Sequence, residues 1–201
     1  VQTCALPIFA NGRWWKTYSQ PAVDGVGTPS AFNSPGQSSR TPLCLVRTRS
    51  ELRGFSFAAV GSSIFQGYQT SGYHNSFGHQ LQNLISTLTR PITFQNDSVQ
   101  GRSTATSFAR LGQILADTYK PSWIFVQTYS LNDGTTQASA DAGWARAMEA
   151  VELCERNGVV PILCTPTPAS ALTTTTDAYR KQIVARVKAS GYLYADFDAA
   201  G

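Results

Sequence analysis

Three short segments of the sequence carry groups that could act together on an ester. The first holds Gly61, Ser62 and Ser63, the second centres on Gly101, and the third contains Asn132. A serine hydroxyl can attack an ester carbonyl when it is exposed at a sharp turn and hydrogen-bond donors point at the oxygen that becomes negative. Ser63 can supply the hydroxyl and its own N–H, Gly101 a second N–H, and Asn132 a side-chain amide. The segments therefore contain one candidate nucleophile and three candidate donors.

Each segment also has a simpler structural interpretation. Gly-Ser at a strand end usually forms a helix cap or a tight turn, and a glycine such as Gly101 is common in turns. The Asn-Asp-Gly sequence of the third segment is typical of a turn with local side-chain hydrogen bonds. The chemical interpretation depends on whether the fold brings the three segments together.

The three segments follow strands in a region where strands and helices alternate. Short apolar runs predict five strands, and apolar residues at helical spacing predict the helices between them. The strand segments, in chain order from Phe55, are FSFAAV, ITFQND, WIFVQTYS, VVPILCT and YLYADFD. This alternation predicts an α/β fold, a three-layer α/β/α sandwich with a five-stranded, mostly parallel, flavodoxin-like sheet. Because ligand crevices in such sheets lie at the carboxyl ends of the strands, we expect the three segments to converge there.

The first long helix is predicted over residues 76–89. Its buried face is predicted from helical spacing and consists of Phe77, Leu81, Leu84, Ile85 and Leu88. The two histidines of the sequence are close to this helix: His79 is near its start, where we expect a surface or cap-proximal residue, and His74 is in the preceding loop.

Composition limits the classes of function. The 201 residues carry a formal net charge of +4, partly from arginines in residues 40–53, and we interpret these as a solvated basic stretch. No apolar run approaches the roughly 18 residues of a membrane span. We therefore expect neither a nucleic-acid nor a membrane partner. Beyond residue 8, the three cysteines, Cys44, Cys154 and Cys164, are odd in number and widely spaced, which argues against a disulfide framework and a zinc site.

The first 54 residues differ from the rest. Residues 1–8 (VQTCALPI) match what a common sequencing-adapter tail encodes in one reading frame, so we expect them to be adapter-derived. Residues 9–54 are rich in Gly, Pro, Ser and Asn, and we expect the remnant of an upstream domain followed by a linker. Residues 55–201 then form the α/β domain, in a fragment of a longer reading frame.

The order of the motifs resembles the SGNH, or GDSL, hydrolase superfamily. Its Gly-Asp-Ser block is matched by GSS at residues 61–63, its glycine turn by VQGRS at 99–103, and its Gly-x-Asn-Asp block by SLND at 130–133. The TPTP at residues 165–168 is similar to a Pro-rich loop of the family. The resemblance covers residues 55–201 and implies that Ser63 is the nucleophile and that Ser63, Gly101 and Asn132 form the oxyanion hole. It further implies a serine esterase that removes short acyl groups, acetyl on polysaccharide among them, without cofactor or metal.

The sequence departs from the family pattern in three places. Ser62 stands where the family usually has Asp, and Ser130 where it usually has Gly; neither change removes an attacking or donating atom. The family's Asp-x-x-His block, which supplies the general base and its carboxylate, has no match here. Neither histidine follows an aspartate by three residues, and no histidine follows Asp196 or Asp198 by three residues. We therefore predict truncation before this block and little activity for the 201-residue chain.

Two non-enzymatic interpretations stay open. The same sheet can support a flavodoxin-like binding module, and the chain can be a structural part of a larger surface or virion protein. Against the binding module, the loop after the first strand (SSIFQGYQTSGYHNS) lacks a compact Ser/Thr/Gly phosphate cradle. Replacing Ser63 by alanine distinguishes the hypotheses, because only an esterase depends on that hydroxyl. An appended N-terminal region on a polysaccharide esterase also favours secretion.

Overall fold

The computed structural model describes residues 55–68, 70, 75–87, 91–117, 120–169 and 172–199. The predictions for residues 1–8 and 9–54 lie outside these ranges, as does His74. Within the described ranges, strands and helices alternate in the predicted order.

Five parallel strands form one sheet. Their bounds are β1 Phe55–Val60, β2 Ile92–Asn96, β3 Trp123–Gln127, β4 Val160–Cys164 and β5 Tyr194–Ala195. The spatial order is β2-β1-β3-β4-β5, so β1 lies between β2 and β3. In register, Phe57 of β1 faces Phe94 on one side and Trp123 on the other. The predicted α/β fold with a five-stranded parallel sheet is confirmed.

The helices begin where the sequence offers capping side chains. Their bounds are α1 Ser63–Gln66, α2 Phe77–Ile85, α3 Thr104–Ala116, α4 Gln137–Arg156 and α5 Thr174–Ala189. The hydroxyls of Ser103, Thr136 and Thr173 accept hydrogen bonds from backbone N–H groups in the first turns of α3, α4 and α5. Such caps satisfy donors that have no partner within the helix.

Alternating side chains of the strands build two apolar cores, one on each face of the sheet. On one face, Ala58 and Val60 pack with residues of α3, α4 and α5. On the other face, Phe57, Ala59 and Phe125 pack with the residues of α1 and α2. This alternation is the period of two expected for a sheet covered on both faces, and it gives the three layers.

Helix α2 is shorter than predicted, and one residue of its predicted buried face points to solvent. It ends at Ile85, and Leu84, which was expected in its buried face, is 81% exposed. The contact with the sheet is centred on Gly78, which lies under the ring of Phe94, and on Gln82, whose Nε2 donates to the carbonyl of Ile92 at 2.9 Å. At about 100° per residue, Leu84 points roughly 120° away from Gly78. The predicted residues Phe77, Leu81 and Ile85 do pack against the core on this face of the sheet, whereas Leu88 lies outside the described residues.

Strand β5 is also shorter than predicted. The run YLYADFD predicts a strand over residues 192–198, but pairing covers only Tyr194 and Ala195. After Ala195 the chain leaves the ladder, and Asp198 N donates a hydrogen bond to Oγ1 of Thr165, the residue after β4, at 3.0 Å.

Candidate functional site

Hydrogen bonds join the three predicted segments at the carboxyl edge of the sheet. Val99 N, in the loop after β2, donates to the carbonyl of Gly61 after β1 at 3.1 Å. Asn132 Nδ2, after β3, donates to the carbonyl of Arg102 at 3.0 Å. The loop after β2 thus lies between the other two and touches both. The structure brings the segments together, while the catalytic roles of their residues stay predictions.

Ser63 is the first residue of the four-residue helix α1. Ser62 before it is the N-cap and is 2% exposed, whereas Ser63 is half-buried. The first N–H groups of a helix have no partner within it, so the N–H of Ser63 is free of intrahelical bonding and can serve an incoming oxygen. Because Ser62 is buried and Ser63 is half-buried, the hydroxyl of Ser63 is the more accessible of the two.

Gly101 occupies a turn that favours glycine because of its backbone conformation. Its φ is +79°, in the left-handed region, and a Cβ placed there would meet no atom within 4 Å. Strain, rather than lack of space, thus favours glycine at this position. The preceding Gln100 N donates to Gln66 Oε1 of α1 at 2.8 Å, which attaches the turn to the helix that carries Ser63.

Asn132 lies in a single 3-10 turn, Leu131–Asp133, that follows β3. Its side chain is exposed and uses Nδ2 to donate to Arg102. An amide nitrogen carries two hydrogens, so one remains for another acceptor. The buried Tyr129 supports this turn, because its hydroxyl donates to the carbonyl of Gly134 at 2.8 Å.

Asp133 clamps the Asn132 turn to the start of α3. Its Oδ1 accepts from both the N–H and the hydroxyl of Thr104, each at 2.7 Å, and its Oδ2 accepts from Ser130 N at 2.8 Å. Both carboxylate oxygens are thereby used in positioning. The Asn-Asp pair therefore combines a candidate donor with the residue that holds it.

An ion pair with a buried carboxylate anchors the loop that contains Gly101. Asp97, at the end of β2, is 5% exposed, and its Oδ1 accepts from Arg110 Nε at 3.0 Å and Nη2 at 2.7 Å. Arg102 Nη1 donates to the carbonyl of the same aspartate at 3.2 Å. The sequence pattern does not single out Asp97; its one indication is an acidic residue directly after a strand and 13 positions before an arginine on the next helix.

His79 is engaged away from the three segments. Its Nδ1 lies 2.8 Å from the hydroxyl of Ser76, the N-cap of α2, and its ring contacts the Phe94 ring edge-on at 4.9 Å between centroids. Within the described part of the chain, no residue is hydrogen-bonded to the Ser63 side chain.

The carboxylates after β5 are held in ion pairs. Asp196 Oδ2 lies 2.7 Å from Lys188 Nζ, and this hydrogen bond lowers the pKa of Asp196. Asp198 pairs with Arg180, a guanidinium that is only 4% exposed and that also pairs with Asp177 at 2.7 Å. Both aspartates therefore have structural partners where the chain leaves the sheet.

The described cysteines are not alternative nucleophiles. Cys154 and Cys164 are buried; burial raises the pKa of Cys154 to about 12 and that of Cys164 well above its usual value. A protonated thiol is a poor nucleophile.

Within the described ranges, no three or more His, Cys, Asp or Glu residues are grouped to hold a metal ion, and no helix has the length and apolarity to cross a membrane.

Comparison with solved structures finds esterases of one fold. No family model and no curated protein matches the sequence. AlinE4, an SGNH-hydrolase family esterase, is 20% identical with a TM-score of 0.60, over 75% of this chain and 80% of its own. The psychrotrophic esterase EstA from Pseudoalteromonas sp. is 14% identical with a TM-score of 0.56, over 71% of this chain and 76% of its own.

A third similar structure is a member of the lipolytic protein G-D-S-L family from Veillonella parvula. It is 17% identical with a TM-score of 0.56, over 72% of this chain and 78% of its own. These similarities show that the described chain has the fold found in SGNH hydrolases.

Proposed function

We propose that this chain is a serine carboxylic ester hydrolase of the SGNH type, with Ser63 as the nucleophile. One observation carries the proposal: the segments of Ser63, Gly101 and Asn132 are hydrogen-bonded to one another at the carboxyl edge of the sheet. A fold alone does not define a function, but this arrangement puts a hydroxyl and several donors together where ligands of such sheets bind.

The mechanism follows from the atoms at this edge. Ser63 Oγ attacks the ester carbonyl, and the oxygen that becomes negative is held by the N–H groups of Ser63 and Gly101 and by Asn132 Nδ2. Each such donor contributes about 10²–10³ in rate in serine hydrolases. The alcohol leaves, and water then releases the acyl group from Ser63. The steps use no metal or cofactor.

The substrate class and the activity level are parts of the same proposal. We assign short acyl esters, acetyl on polysaccharide among them. A general base must take the Ser63 proton, and neither His74 nor His79 follows an aspartate by three residues. Loss of the catalytic histidine alone costs on the order of 10⁶ in kcat in subtilisin. The 201-residue chain is therefore expected to be a poor esterase on its own.

Chemical rescue tests this proposal. Hydrolysis of p-nitrophenyl acetate by the 201-residue chain is measured with and without imidazole, which can replace a missing histidine base. We expect imidazole to stimulate a protein-dependent rate that Ser63→Ala abolishes. The matched variant Ser62→Ala removes the neighbouring hydroxyl but keeps its N–H, and should retain most of that rate.

Two results would contradict the assignment of Ser63 as the nucleophile, and a third would contradict the missing base. Equal rates for the parent chain and Ser63→Ala, at every imidazole concentration, would favour the binding-module or structural interpretation. Loss of the rate in Ser62→Ala but not in Ser63→Ala would show that Ser62, rather than Ser63, is the nucleophile. High activity without imidazole would contradict only the statement about the missing base.

A further inference from the structure

The side chain of Gln127 connects the end of β3 to the turn after β1. Its Oε1 accepts a hydrogen bond from Ser62 N at 2.6 Å. Gln127 is 8% exposed and Ser62 2% exposed. A hydrogen bond shielded from water is electrostatically stronger than one in solvent. This contact therefore holds the backbone one residue before Ser63.

Gly61 provides the space for this contact. A Cβ on Gly61 would lie 2.7 Å from Gln127 Oε1 and 2.8 Å from the ring of Phe65. Gly61 does not have a positive φ, so close packing, rather than conformation, requires glycine here. The glycine before the two serines and the glutamine on the neighbouring strand thus form a matched pair.

The other backbone hydrogen bonds at this turn use carbonyl groups: Gly61 O accepts from Val99 N at 3.1 Å, and Ser62 O accepts from Gln66 N at 3.0 Å. Helix α1 has four residues, and its N-cap Ser62 makes no side-chain capping bond. A helix this short has negligible stability of its own, so tertiary contacts must fix its first residue. Gln127 binds the N–H of Ser62, and the next N–H along the backbone is that of Ser63.

We propose that Gln127 is a positioning residue for Ser63. The side-chain oxygen of Gln127 binds the Ser62 N–H and thereby sets the direction of the N–H and the hydroxyl of Ser63. Gln127 reaches the reaction only through the backbone. This inference rests on the proposed function of Ser63.

The test compares two changes at residue 127 with a control on the adjacent residue. Gln127→Met keeps the length of the side chain but removes the acceptor, and Gln127→Glu keeps an oxygen at that place. Thr128→Val removes an equally buried hydrogen bond, from Thr128 Oγ1 to the carbonyl of Cys164 at 2.8 Å, that does not touch the serine turn. All are assayed as the 201-residue chain with imidazole and p-nitrophenyl acetate, below the unfolding temperature of each variant.

We expect Gln127→Met to lower the Ser63-dependent kcat by about 10- to 100-fold with little change in KM, since small misplacements of reacting groups cost this much. Gln127→Glu should recover most of the rate, and Thr128→Val should lose stability without losing kcat. A purely structural role for Gln127 predicts the same behaviour for Gln127→Met and Thr128→Val, and that result overturns the inference.

Amide hydrogen exchange separates the inference from the proposed function. If the parent chain has no Ser63-dependent rate, the proposed function fails, while exchange at Ser62 still tests the contact. Faster exchange of the Ser62 amide in Gln127→Met but not in Thr128→Val supports the positioning of the turn. Unchanged exchange at Ser62 overturns it.

Discussion

Replacing Asp133 by alanine tests how the Asn132 turn is held. The carboxylate accepts three hydrogen bonds, two from Thr104 and one from Ser130 N. Thr104 is 5% exposed, so its donors lose their partner in a site with little water, at a cost of about 1–3 kcal/mol. Loss of a negative charge at the N-terminus of α3 adds about 0.3–1 kcal/mol. We expect Asp133→Ala to lower the free energy of unfolding by about 1–4 kcal/mol, a large part of the 5–15 kcal/mol typical of a domain.

The assay is urea unfolding followed by circular dichroism, with two comparison variants. Asp133→Asn keeps one acceptor oxygen and should lose roughly half as much stability. Asp141→Ala removes a half-exposed carboxylate that pairs with Arg186 on the surface, and should have little effect. A loss of less than about 0.5 kcal/mol in Asp133→Ala, the range of ordinary surface changes, would show that this carboxylate does not hold the turn.

Two other predictions concern packing and pH. Gly78→Ala places a Cβ 2.1 Å from the Phe94 ring, and the overpacking cost of about 1–3 kcal/mol should exceed the helix-propensity gain of about 1 kcal/mol. Gly112→Ala adds a Cβ in open space and should stabilise the protein. Calorimetry of the two variants measures the change in unfolding temperature. The hydrogen bond from Lys188 lowers the pKa of Asp196 below 3.8, and Asp196 raises that of Lys188 above 10.5. The stability that the pair contributes is thus present at neutral pH. It is lost as pH falls through the lowered pKa of Asp196 and as pH rises through the raised pKa of Lys188. Lys188→Met should therefore reduce the difference in unfolding free energy between pH 6 and pH 3, and an unchanged difference contradicts this assignment.

The sheet could be predicted because its residues follow simple periods. The run FSFAAV forms β1 over its whole length, and WIFVQTYS forms β3 over its first five residues, Trp123–Gln127. Beyond their partly buried first residues, both strands are buried. The prediction fails where one side chain outweighs the pattern. In α2, Gly78 lies against Phe94 and Leu84 faces solvent. Beyond β5, Asp198 N donates to Thr165 Oγ1 where the run predicts further strand.

The candidate site could be predicted only in part. Its three segments carry short motifs at strand ends, and the topology of a parallel sheet brings such ends together. The residues that hold the segments in place have no periodic pattern. Ser62 and Gln127 are 65 positions apart, and Asp97 meets Arg110 from the following helix; such contacts follow from side-chain geometry in the folded chain.

The strand order also sets when β1 can be completed. Residue 57 pairs with residue 94 and with residue 123, the latter 66 positions later in the chain. At synthesis rates of about 5–20 residues per second, β1 waits roughly 3–13 seconds for β3. During that interval its apolar face has no final partner, and parallel pairings of this kind are slow and prone to aggregation. We therefore expect the yield of folded protein in a cell to depend on how quickly the segment between β1 and β3 is made, as well as on the stability of the finished domain.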